Sequence, residues 1–316
     1  MTPRDRFIAA LERRPPTGRV PHFELVFFLT MEAFGRVHPS HRDYSQWLQM
    51  EEKERDLHRR DMADLYIMTA ERFEHSAIFI HANPANPEEL RRMVDLIRER
   101  TGDRYFLLAH GDATYSVPNG GEMEEFSCQL VDEPEKLKAH AAEEVKQALE
   151  RAESLRYPDG LDGFALCADY CFNTGPFLSP AMFGEFVTPY LAELTRGYRD
   201  LGYYVIKHTD GNIMPIIDQL AQTKPHALHS LDPQGDVDIA EVKRLYGREL
   251  CLIGNVHCGM MDNGTPEQIA ESVRYALRHG MPDGGYIFST SNCIYTGMPL
   301  ASYEHMLEIW RQEGNY

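Results

Sequence analysis

Basic residues are scarce in this 316-residue chain: 32 lysines and arginines stand against 49 aspartates and glutamates. The resulting formal charge of −17 repels polyanions, which argues against nucleic acid and anionic membrane as partners. Long apolar runs are missing too. No uninterrupted stretch approaches the roughly 18 residues a membrane helix needs, and Met1-Thr2-Pro3-Arg4-Asp5 has no secretory apolar region. A soluble, cytoplasmic protein is therefore expected. The six cysteines, Cys128, Cys167, Cys171, Cys251, Cys258 and Cys293, form no C-x-x-C pair, so they read as packing residues in a reducing compartment. There is no G-x-G-x-x-G, phosphate loop, G-x-S-x-G or H-E-x-x-H, which weakens a nucleotide-binding reading and leaves serine-hydrolase and zincin chemistry poorly supported.

What is present is an alternation. Apolar runs occur at Val20 to Leu25, Asp64 to Met68, Tyr105 to Ala109, Gly163 to Ala168, Tyr203 to Ile206, Ala227 to Leu231, Leu250 to Ile253 and Tyr286 to Ser289. Ile78 to Ile80 is a further short run that reads as an excursion. Most are apolar on both faces, as strands inside a parallel sheet must be. Helix starts separate them. Asn86-Pro87-Glu88-Glu89 and Thr265-Pro266-Glu267-Gln268 each offer an N-cap, a proline at the first helical position and a third-position acid or amide. Ser179-Pro180 opens a long helix in which Pro189 predicts a kink. Strand and helix alternating in this way predict a (β/α)8 barrel in one domain, residues 1–316, with 1–19 and 31–60 as helical additions. A doubly wound open sheet is the rival.

In a barrel the residues just past each strand share one pocket at the C-terminal face. Those positions hold His22, Glu24, Thr69, His110, Asp112, Asp169, Tyr170, Asn173, His208, Asp210, Asp232, Asn255, His257, Asn292 and Cys293. His208-Thr209-Asp210-Gly211-Asn212 is the strongest group. A histidine and a carboxylate two residues on can converge at a strand end to hold a metal, relay a proton or anchor a polar substrate. Gly211 frees the backbone and Asn212 can cap the helix that follows. Plainer roles exist for the others: Glu24 could pair an arginine, Asp169 cap a turn, Asp232 form one, Asn255 satisfy loop backbone and Cys293 pack. His226, His229 and His257 read as ordinary polar positions.

These motifs, with Thr2-Pro3-Arg4-Asp5-Arg6-Phe7 and Arg19-Val20-Pro21 at the start, Gly175-Pro176-Phe177-Leu178-Ser179-Pro180, Gly254-Asn255-Val256 and Gly284-Gly285-Tyr286-Ile287, resemble the uroporphyrinogen decarboxylase-like superfamily. That superfamily includes the methylcobalamin:coenzyme M methyltransferases and other corrinoid-linked methyltransferases. The resemblance implies a TIM-type barrel with a cavity at its C-terminal face. The methyltransferases hold zinc with a histidine, a cysteine two residues on and a distant cysteine. Here His208 matches, Asp210 stands at the second position and Asn292 at the third, with Cys293 one residue away. Carboxylate can replace thiolate at zinc, whereas asparagine is a poor ligand. True decarboxylases carry an arginine-rich loop after the first strand, but Phe27 to Arg36 holds one arginine and a glutamate.

The resemblance thus implies a corrinoid-linked methyltransferase that moves a methyl group between a small methylated substrate and the cobalt of a separate corrinoid protein. His208, Asp210, Asp169 and Glu24 are its expected catalytic residues. Tyr170, Asn173, Asn212, Asp232, Asn255 and Asn292 would bind substrate. His208, Asp210 and Cys293 would hold Zn2+. A decarboxylase acting on a smaller acid is the alternative, and it requires a cationic patch from Arg36, Arg72 or Lys207. A non-catalytic binding barrel is the third reading.

Overall fold

The computed structural model describes residues 1–15, 17–81 and 84–316. Its strands are β1 (Ala77–Ile80), β2 (Phe106–His110), β3 (Gly163–Leu166), β4 (Cys171–Phe172), β5 (Gly175–Pro176), β6 (Tyr204–Thr209), β7 (Ala227–Ser230), β8 (Cys251–Val256) and β9 (Tyr286–Thr290). Seven of them form a parallel sheet in the order β1-β2-β3-β6-β7-β8-β9, while β4 and β5 make a small antiparallel hairpin. Residues 20–27 fill the gap between the two edges. The backbone N–H of Ser76 donates to His22 O at 2.7 Å, and that of Phe23 donates to Phe288 O at 3.1 Å. Isolated bridges join His22 to both His75 and Phe288. With this segment the sheet closes on itself as the expected TIM-type barrel.

Two expectations change. Asp64 to Met68 is no strand but the middle of a helix, Glu52–Arg72, and β1 is instead the short run Ala77–Ile80. Met62, Ala63, Tyr66, Ile67 and Ala70 are buried at helical spacing, and no glycine or proline interrupts the 21 residues. Thr69 therefore sits on that helix, where it donates to Leu65 O, and does not follow a strand in the chain. The helix opened by Ser179 ends at Phe186, and a second runs over Thr188–Asp200. Pro189 does not kink one helix; it lies in the first turn of the next, where a missing N–H costs nothing.

Alternation along the strands sorts the interior. Phe23, Phe79, Leu108, Ala165, Ile206, Ala227, Ile253 and Ile287 belong to one buried cluster inside the barrel. The helix Pro3–Leu11 plugs its N-terminal end with Phe7, whose ring lies 4.8 Å from Phe106 and 5.5 Å from Phe23. The floor is thus apolar and sealed, and the next inward position on each strand faces the C-terminal mouth. On β6 that position is His208, two residues beyond Ile206; on β7 it is His229 and on β9 Ser289.

Candidate active site

β6 delivers His208 inward and buries it, while the loop after β3 brings Asp169 and the loop after β6 brings Asp210. His208 Nε2 lies 3.8 Å from Asp169 Oδ1 and 3.7 Å from Asp210 Oδ1. The three donor atoms all lie within 4.8 Å of one another. Asp210 is held on both oxygens: Ser230 Oγ donates to Oδ1 at 2.6 Å, and Asn292 Nδ2 donates to Oδ2. The backbone N–H of Asp210 donates to Asp169 Oδ1 at 3.0 Å. Burial pushes the Asp210 carboxyl up to about 7, against the hydrogen bond from Ser230. Burial also draws His208 down to about 4, so its ring is neutral at neutral pH. Among the described residues no lysine or arginine pairs with Asp169 or Asp210.

One neutral imidazole and two uncompensated carboxylates suit a divalent cation. Ligand atoms about 2.1 Å from a tetrahedral ion lie roughly 3.4 Å apart, so the two histidine–carboxylate separations need to shrink by only a few tenths of an ångström. The residues present therefore fit zinc or a harder divalent metal.

Asp169, and not Cys293, completes this group of three potential donors. Cys293 is outside the group, its thiol pushed up to about 12 by burial, and its backbone N–H donates to Asn292 Oδ1. Glu24 does not reach the three donors either. It is 3 % exposed, and it accepts from Ser289 Oγ at 3.1 Å and Thr290 Oγ1 at 2.6 Å. No arginine pairs it among the described residues, and burial lifts it to about 8.

Of the expected substrate binders, Asn292 alone hydrogen-bonds a member of the three-residue group. Asp232 lines an adjoining cavity with Asn292, Tyr295 and Cys258, while its carboxylate caps the turn Pro233–Gly235 through Gln234 N. Asn255 Nδ2 donates to Leu231 O, and Asn212 Oδ1 accepts from Met214 N two residues on, while the N-cap of the short helix Met214–Ile216 is Ile213 and not Asn212. Tyr170 is buried against Thr114, its hydroxyl 2.6 Å from Thr114 Oγ1. Asn173 is exposed in the β4–β5 turn.

Two contributors, His229 and Ser230, escaped the sequence reading. His229, read as ordinary, places Nδ1 2.7 Å from His208 Nδ1. The register of β6 on β7 sets the two residues opposite each other, a fact that appears only when Ile206 is aligned with Ala227. Ser230, next along β7, is the Asp210 donor. On the outer face Lys207 is 1 % exposed, and its Nζ donates to Asp112 Oδ2 at 2.8 Å and Ala168 O at 2.9 Å. The same cation lies 4.1 Å from the centre of the Tyr170 ring. Burial alone would lower the Lys207 pKa, but Asp112 more than reverses it and holds the lysine charged. At the other side of the mouth His110 Nε2 lies 3.3 Å from His81 Nδ1.

Glycine makes the Asp210 loop compact. Gly211 has φ +76°, and a Cβ there would meet Phe172 O at 2.6 Å. A Cβ on Gly235 would meet Asn212 N at 2.5 Å and Gly211 O at 2.6 Å. Gly235→Ala is therefore expected to cost about 1–3 kcal/mol in urea unfolding, because backbone and not a flexible side chain must move. Unchanged stability in that variant would contradict the close approach.

Residues 161–313 match the family model described as Uroporphyrinogen decarboxylase (URO-D). No curated protein matches the chain. A methyltransferase from Methanosarcina mazei shares the fold with a TM-score of 0.75 over 99% of each chain, at 16% identity. A GH5_18 protein from Streptomyces cattleya, solved in complex with GlcNAc, matches at a TM-score of 0.51 and 12% identity, over 94% of this chain and 82% of that one. At such identities the structural likeness speaks to the barrel alone. Over residues 161–313, just under half of the chain, the sequence thus resembles the uroporphyrinogen decarboxylase family.

Proposed function

We propose that the protein is a methyltransferase that moves a methyl group between a small methylated substrate and a corrinoid carried by a partner protein. The observation that carries this reading is the Asp169–His208–Asp210 group at a mouth with no free cation beside it among the described residues. Each cation that a decarboxylase would need is already engaged. Arg36 bonds Asp61, Arg72 bonds Glu304 and Ala33 O, and Lys207 is buried on Asp112. A carboxylated substrate would meet two unpaired aspartates instead, which Coulomb repulsion disfavours. A neutral methoxy compound or a methylated ammonium ion meets no such penalty.

His208 Nε2, Asp169 and Asp210 are the residues that would hold a divalent ion, zinc being the first candidate. Such an ion, when bound, supplies Lewis acidity to the heteroatom that loses or receives the methyl group. The chain's own residues do the positioning. Ser230 and Asn292 fix the Asp210 carboxyl, and Asp169 is tied to the Asp210 backbone, so both aspartates move as one unit. The sealed floor beneath Ile206 and Phe7 keeps bulk water on one side only.

The test is methyl transfer to cob(I)alamin from a panel of methoxy, methylamine and methylthio donors, at several metal loadings. Transfer with at least one donor, reduced by Asp210→Asn, is expected. Carbon dioxide release from an acid without cobalamin, or tight ligand binding with no turnover of any donor, would overturn the reading.

A further inference from the structure

A chain of hydrogen-bonding groups leads from the site into the barrel wall. His208 Nδ1 is 2.7 Å from His229 Nδ1, His229 Nε2 is 3.4 Å from Ser289 Oγ, and Ser289 Oγ is 3.1 Å from Glu24 Oε2. All four residues are buried. Two imidazole nitrogens at 2.7 Å share one proton, so one ring must donate and the other accept. The choice made there propagates in both directions. We propose that His229 and Ser289 are positioning residues forming a relay that couples proton loss from Glu24 to which ring nitrogen of His208 carries its proton.

With Glu24 neutral, Ser289 donates to His229 Nε2, His229 Nδ1–H donates to His208 Nδ1, and the His208 proton stays on Nε2, facing Asp169 and Asp210. With Glu24 ionised, every bond reverses. Ser289 donates to Glu24, His229 Nε2–H donates to Ser289, and His208 Nδ1–H donates to His229. The proton balance closes: Glu24 Oε2 gives its proton to Ser289 Oγ as Ser289 passes its own to His229 Nε2. His229 Nδ1–H passes to His208 Nδ1, and the Nε2 proton of His208 leaves through the mouth. Both rings are neutral before and after. The Nε2 lone pair is then open between the two aspartates, and the new negative charge sits on Glu24.

The surroundings of Glu24 favour two states of similar energy. Burial raises its pKa to about 8, so the neutral form prevails at neutral pH without being locked in. Thr290 Oγ1, 2.6 Å from Oε2, has a second acceptor in Asn292 O at 2.8 Å, so it can accept from a protonated Glu24 and still donate. The titratable groups near Glu24 on the elements packed beside it are Tyr286 on β9, Cys293 in the loop that follows, and Cys258 and Tyr303 on neighbouring helices, each with a pKa raised. Across a small cavity lie Tyr66, His38, His75 and His81, the three histidines held neutral by burial. Among the described residues no lysine or arginine pairs with Glu24, so its proton is the charge-setting event in this wall.

The consequence for a bound cation rests on the proposed metal reading, whereas the relay does not. Nitrogen NMR of metal-free, 15N-histidine-labelled protein tests the relay directly. Raising the pH from about 6 to about 9 should move the His208 proton from Nε2 to Nδ1. Glu24→Gln and Ser289→Ala should abolish that move, and Ser289→Thr, which keeps the hydroxyl, should restore it. A His208 tautomer that stays constant in the native protein, or moves equally in Glu24→Gln, would overturn the proposal. In a second arm, zinc titrated calorimetrically in buffers of different ionisation enthalpy should release about one more proton from the native protein than from Glu24→Gln near pH 6.5. A tautomer switch without zinc binding would sink the metal reading and leave the relay standing.

Discussion

Lys207→Met is expected to lower the unfolding free energy by about 3–5 kcal/mol, the range for a buried ion pair broken on one side. The methionine fills most of the space but leaves Asp112 ionised and without its counter-charge. Asp112 cannot relax into water, because its oxygens also accept from Ala168 N, Thr114 N and Thr114 Oγ1. Burial alone would raise the Asp112 pKa, but Lys207 outweighs it and holds the carboxyl below its ordinary range. The sign of the pH effect follows. The stabilisation is fully present above the ordinary carboxylate range and is lost as pH falls through the lowered native value. Urea denaturation of Lys207→Met, Asp112→Asn and the double variant measures the coupling. A double variant more stable than either single one is the expected pattern; a cost below about 1 kcal/mol for Lys207→Met would place the pair among weak surface bridges instead.

His208→Ala should abolish retention of a divalent ion. It removes one donor in three, and the only nitrogen, so the loss should exceed the roughly 10–100-fold that follows removal of an outer hydrogen-bond partner. The fold should survive, because the change empties a position at the mouth and leaves the floor of Ile206 and Ile253 intact. Metal analysis after exhaustive dialysis, paired with calorimetric titration of zinc, gives the result. Stoichiometric metal retained by His208→Ala would remove the site from this place in the barrel. Asp169→Asn distinguishes a ligand from a bystander, since its side chain is 48 % exposed and its replacement should not disturb folding.

The barrel was legible because parallel strands buried on both faces leave runs such as Gly163 to Ala168 and Leu250 to Ile253 apolar throughout. The same cue failed at Asp64 to Met68, where a helix packed against the sheet shows an equally apolar stretch and only the longer period tells them apart. His208 and Asp210 were visible as a pair because two residues suffice to carry a chain from strand to loop. Asp169 was visible as a strand-end acid, but its place as third donor depends on β3 pairing with β6, about 40 residues away. His229 could not be read at all without the register of β6 on β7. Lys207 illustrates the opposite case: it adjoins the best motif in the chain, yet alternation turns it outward, and its partner Asp112 comes from another strand end. Asn255 and Asn212 proved to serve the backbone, as asparagines in loops commonly do.

The closing segment of the barrel carries one more implication. Between residues 20 and 27 the ladder is discontinuous, and Thr290 N finds its acceptor in the carboxyl of Glu24 rather than in a main-chain carbonyl. The barrel therefore has a seam, stitched at one point by a side chain. A seam of this kind is where such a cylinder should first loosen, and the amide of Thr290 should exchange with solvent faster than those of Ile206 or Ile253. Because the stitch is an acid with an adjustable charge, its hold on that amide tightens as the acid ionises. The same event that opens a lone pair at the mouth would thus draw the staves of the wall together.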